Sequence, residues 1–81
     1  EAVAYRADKG VRTIGSDGPT LGGVDRENAL FVNWLAASRE LFAVEFLTNL
    51  DAIRDKTAFF IFAPIKIEGT RGGYGRAIAL Y

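Results

Sequence analysis

Asp25-Arg26-Glu27-Asn28-Ala29-Leu30-Phe31-Val32-Asn33-Trp34-Leu35-Ala36-Ala37-Ser38 runs, after Arg39-Glu40, into Leu41-Phe42-Ala43-Val44-Glu45-Phe46-Leu47. Asp25 is a good N-cap, since its carboxylate can accept from the free amides of the first turn. The helix it opens, from about Arg26 to Ser38, is apolar nearly all round, and such a helix is normally buried against other elements. Leu41–Leu47 then reads as a strand. Working toward the N-terminus, Gly15–Gly23 is a turn-rich loop whose glycines and proline forbid regular structure. Val11–Ile14 reads as a short strand before it. Residues 1–9 place Val3, Ala4 and Ala7 at helical spacing, with Gly10 as the stop. Strand, loop, helix and strand in that order predict an α/β fold.

Toward the C-terminus, Thr48–Asp51 reads as a turn or short helix. Thr57–Ile67 contains the longest apolar run, Ala58–Ile65, the pattern of a strand covered on both faces. Pro64 implies a bulge or a sheet edge. Gly69–Gly75 reads as a flexible loop, and Arg76–Tyr81 as a last strand.

The 81 residues include no Cys and no His, with ten basic residues against ten acidic ones. Disulfide frameworks, thiolate nucleophiles, imidazole bases and zinc sites built from Cys or His are thereby excluded within this chain. Balanced charge supplies no steering field for nucleic acid or an anionic membrane. No apolar run reaches the roughly 20 residues that span a bilayer. Hydrophobic content of 49% with 25% charged residues is the balance of a globular domain. The expectation is a soluble, cytoplasmic protein, oligomeric through its apolar faces, in which Glu1, lacking a preceding Met, is a processed or cut end.

Glu45 is the most informative side chain. Strand alternation puts it on the face of Ala43 and Leu47, where an unpaired carboxylate costs several kcal/mol. It is therefore expected to meet a cation such as an arginine, a hydrogen-bond donor or a metal. Asn33 interrupts the apolar helix on the face of Ala29, Leu30, Ala36 and Ala37, either satisfying backbone groups or orienting a carbonyl ligand. Asp17 and Thr20 follow a strand, where ligands bind in α/β sheets, though Asp17-Gly18-Pro19-Thr20 is also an ordinary turn. The glycine loop at 69–75 lacks the Gly-Lys-Ser/Thr ending of a phosphate loop, while Arg71 and Arg76 could clamp a carboxylate. Trp34 with Phe31 reads as core packing.

Gly10–Thr20, Val44–Asp51, Phe62–Gly69 and Gly72–Ala79 together resemble, in order and spacing, the C-terminal half of the cyclase family of metal-dependent hydrolases, the family of kynurenine formamidase and isatin hydrolase. The resemblance implies a swivelling β/β/α fold with a barrel-like sheet core, of which 1–81 is the C-terminal portion rather than a complete independent domain. It implies hydrolysis of a small amide, lactone or ester by metal-activated water, with zinc or manganese held mainly by a His-x-Gly-Thr-His-x-Asp segment of the N-terminal half. Glu45 matches a metal-ligating Glu of the family's Glu-Asn-Leu motif, with Phe46 in place of the Asn. Asn33 stands where the family has a His twelve residues earlier, and Thr20 matches a small hydroxyl residue of an Asp-x-Pro-Ser-like loop. Glu45 is thus expected to bind metal, and Asn33, Thr20 and Asp17 to line the substrate pocket, with no catalytic acid or base in this chain. The implied partners are the N-terminal half, a small-molecule substrate and further copies of the protein. The rival readings are a catalytically altered domain that binds a small ligand, and a structural or interaction module.

Overall fold

In the computed structural model, which describes residues 1–81, the first helix α1 (Ala2–Asp8) closes on Gly10, whose φ is +85°. The amides of Gly10 and Val11 donate to the carbonyls of Ala7 and Arg6 at 3.0 and 3.1 Å, the paired bonds of a Schellman stop. Strand β1 (Thr13–Gly15) follows, then the loop, then helix α2 (Arg26–Ser38), capped by the Asp25 carboxylate, which accepts from the Glu27 amide at 3.1 Å. Helix α2 ends in a second Schellman stop: Glu40 and Leu41 donate to Ala37 and Ala36 at 3.1 and 2.9 Å. Here the left-handed residue is Glu40, at φ +57°. Strand β2 (Phe42–Val44) then pairs parallel to β1, Thr13 opposite Phe42 and Gly15 opposite Val44. The unit Glu1–Thr48 is therefore a βαβ crossover preceded by a short helix, with α2 packed on α1 and β2. An exposed ion pair, Arg39 to Asp8 at 2.9 Å, joins the two helices.

The second compact unit, Asn49–Tyr81, holds a single-turn 3-10 helix (Leu50–Ile53) and a β-hairpin. Its strands β3 (Phe59–Pro64) and β4 (Gly75–Leu80) pair antiparallel, Phe59 opposite Leu80 and Pro64 opposite Gly75. Ile65 still donates to Tyr74 at 2.8 Å beyond the last strand pair. Lys56 Nζ sits 4.2 Å from the centre of the Tyr81 ring, tying the end of the chain to the segment before β3.

The α/β class is thus present, in two short helices and two separate two-stranded sheets; these residues show no barrel-like core. Only Ala36, Leu41 and Val44 are buried hydrophobic residues. They mark the place where the end of α2 meets β2. Several burial expectations fail for one reason: the apolar faces have no covering element. Phe31 and Trp34 stack at 6.3 Å, but Trp34 is 65% exposed, so the pair is a surface feature and not core. Asn33 is exposed, because α2 packs through Ala29, Val32, Leu35 and Ala36 and leaves its other side free. Strand β3 is exposed along most of its length, since within its own unit it pairs only with β4.

Candidate functional site

In a parallel pair both strands end on the same side, and the segments after them meet there. The segment after β1 is Ser16–Gly23, and the segment after β2 is Glu45–Leu47. Their backbones continue the pairing beyond the strands. Ser16 donates to Val44 O at 2.9 Å, Leu47 to Ser16 O at 3.0 Å and Phe46 to Gly18 O at 3.0 Å. The Gly18 amide donates to Ser16 Oγ at 3.0 Å, which tightens the turn around Asp17. Asp17 therefore sits between two residues whose carbonyls hold Phe46 and Leu47, immediately beyond Glu45. Both carboxylates are exposed, and neither makes a side-chain hydrogen bond or ion pair.

The exposure of Glu45 corrects the expectation that it is buried among strand residues. Strand β2 stops at Val44, and Phe46 takes a left-handed backbone at φ +57°. Strand alternation does not extend to position 45, and its carboxylate reaches solvent. It forms no ion pair with an arginine: the two ion pairs in the chain are Arg39–Asp8 and Arg54–Asp51.

Thr20 belongs to the same loop, but its hydroxyl donates to Gly23 O at 2.6 Å while Gly23 donates back to Thr20 O at 3.2 Å. That hydroxyl is engaged in closing the turn. The loop is tied to α2 by Asn28 Nδ2, which donates to Gly22 O at 2.7 Å. A side chain at Gly22 would bring a Cβ within 2.5 Å of Ala29 Cα, so the contact requires glycine. Asn33 is not brought to this cluster. It lies about 10 Å of helix rise beyond Arg26 and is exposed.

Asp17 and Glu45 offer hard oxygen donors of the kind that hold divalent cations. No group of three or more His, Cys, Asp or Glu side chains converges anywhere in the chain. A zinc site takes three or four protein ligands, and these two carboxylates alone fall short of that number. Sequence reasoning missed Ser16, whose hydroxyl shapes the turn, and the left-handed backbone of Phe46. An ST-turn pattern at Ser16 could have indicated the first; nothing in the composition indicates the second.

A concavity of about 580 Å³ lies in the loop between β3 and β4, lined by Lys66, Glu68, Thr70, Arg71 and Gly73 among others. It is open to solvent, and the Thr70 hydroxyl is used within the loop, donating to Ile67 O at 3.0 Å. No helix of the chain is long and apolar enough to cross a membrane. No protein-family model, curated protein or solved structure matches this chain.

Proposed function

We propose that residues 1–81 form the C-terminal portion of a cyclase-type metal-dependent hydrolase that cleaves a small amide, lactone or ester. The observation that carries this reading is the convergence of Glu45 with the Asp17–Thr20 loop at the carboxyl end of the β1–β2 pair. Strand pairing brings together two segments that lie some thirty residues apart and that the resemblance assigns to one site. A second observation supports it. Position 46, which the family motif fills with Asn, has a left-handed backbone here, and Asn adopts that conformation more readily than other side chains apart from glycine. The local geometry suits the family's residue better than the phenylalanine present.

In this reading Glu45 holds the ion through its free carboxylate, and Asp17 and Thr20 line the substrate side of the site. The chemistry that zinc or manganese supplies when bound is activation of water and polarisation of the acyl carbonyl. Proton transfer falls to the N-terminal half, because this chain has no group suited to act as base. The barrel-like sheet forms when that half supplies the strands and helices that cover α2 and the β3–β4 ribbon.

The substitution of Asn33 for the family's His favours one alternative, a domain that binds a small carbonyl or carboxylate ligand without turnover. Chelator treatment separates the two: hydrolysis of an arylformamide or lactone that falls at least tenfold with chelator and returns with zinc or manganese supports the hydrolase. Binding without any chelator-sensitive turnover supports the alternative.

A further inference from the structure

Asp17-Gly18 is the single place in the chain where an Asp or Asn is followed by glycine. With no Cβ on the following residue, nothing bulky shields the Asp17 side chain from the Gly18 nitrogen. Asp17 is exposed, and its carboxyl group makes no side-chain hydrogen bond or ion pair. The fold does not demand this glycine. Its φ lies outside the left-handed region, and an added Cβ would come no closer than 3.5 Å, to Ser16 Oγ.

The main chain here is held at three successive peptide planes. The plane before is fixed by the Leu47 amide, which donates to Ser16 O at 3.0 Å, and the plane after by the Phe46 amide, which donates to Gly18 O at 3.0 Å. The plane between them carries the Gly18 N–H, whose partner is Ser16 Oγ at 3.0 Å. Each plane turns as a rigid unit. The flanking planes are tied to the segment after β2, whereas the central one is held by a single hydroxyl.

We propose that Asp17-Gly18 is a site of spontaneous isomerisation to isoaspartate, and that the Ser16 hydroxyl restrains the reaction. This does not rest on the hydrolase reading. The Gly18 nitrogen gives up its proton and bonds to Asp17 Cγ, and one carboxyl oxygen leaves as water. Water then opens the cyclic imide. Opening at the original main-chain carbonyl leaves the chain running through Asp17 Cβ and Cγ, so the water lost is regained and nothing is oxidised or reduced. Ser16 Oγ opposes the first step in two ways. It engages the proton that must leave, and it keeps the nitrogen's plane from turning toward Cγ. The product has one more main-chain carbon between Ser16 and Gly18, so Ser16 O and Gly18 O lose the spacing that serves Leu47 and Phe46. The modification thereby undoes the junction between the loop and the end of β2.

The test ages the 81-residue chain at neutral pH and follows the tryptic peptide Thr13–Arg26, in which isoaspartate changes retention but not mass. Ser16→Ala should form isoaspartate about 3- to 10-fold faster than wild type, the factor that one lost hydrogen bond gives, and Ser16→Thr should restore the slow rate. Amide exchange is read alongside. In Ser16→Ala the Gly18 amide should lose protection while those of Phe46 and Leu47 keep it, which separates release of one plane from unfolding. Gly18→Ala should remove the product. Equal rates in wild type and Ser16→Ala, isoaspartate that persists in Gly18→Ala, or a wild-type Gly18 amide that exchanges as fast as in the urea-unfolded chain would each overturn the proposal.

Discussion

Phe46 is a bulky side chain, 73% exposed, on a left-handed backbone, with nothing packed on it to repay the strain. For L-residues that conformation costs roughly 1–2 kcal/mol, and Asn carries less of the cost because its short polar side chain bonds locally. Phe46→Asn is therefore expected to stabilise the chain by about 0.5–1 kcal/mol, read as a higher urea midpoint at fixed chain concentration; an unchanged or lower midpoint would contradict the strain argument. Glu45 was legible as a residue of interest because a carboxylate inside an apolar run demands an explanation. Its exposure was not legible, because the turn that takes it out of the strand depends on a backbone state that phenylalanine does not advertise. Asn33 failed similarly: its place on an apolar helix was readable, but which stripe of that helix packs depends on what lies opposite.

At the scale of elements, α2 was legible to its limits, since Asp25 caps it and its apolar spacing persists from Ala29 to Ala37. Its C-terminus is less well served. Glu40 holds the left-handed stop position that glycine fills at the end of α1. Glu40→Gly should stabilise by roughly 0.5–1 kcal/mol, a rise in thermal midpoint that Glu40→Ala should not reproduce. The join between the loop and α2 has the opposite demand. Gly22→Ala forces a methyl group against the Ala29 backbone and should cost about 1–3 kcal/mol, visible as a loss of helix signal at a denaturant concentration the native chain withstands. The strands were located but overextended: the apolar runs continue through Leu47 and Ile67, whereas the regular strands stop at Val44 and Pro64, with only isolated backbone bonds beyond them. Hydrophobicity marks where a strand can lie, while turn geometry decides where it ends.

At the scale of the whole molecule, the hydrophobic content belongs to a chain with a core, yet only three hydrophobic residues are buried. Under the hydrolase proposal, the exposed apolar side chains of α2, β3 and β4 are covered by an N-terminal half. The barrel-like sheet implied by the resemblance is not shown by residues 1–81, which form two separate two-stranded sheets. Under the same proposal, the two carboxylates at the end of the β1–β2 pair are a fraction of a metal centre. The most direct test is the metal content and chelator-sensitive hydrolysis of the protein reconstituted with the proposed N-terminal half, wild type against Glu45→Gln. Stoichiometric zinc or manganese is expected in the wild type, with at least a tenfold loss of both metal affinity and rate in Glu45→Gln. Equal metal content and equal rate in the two proteins would contradict it.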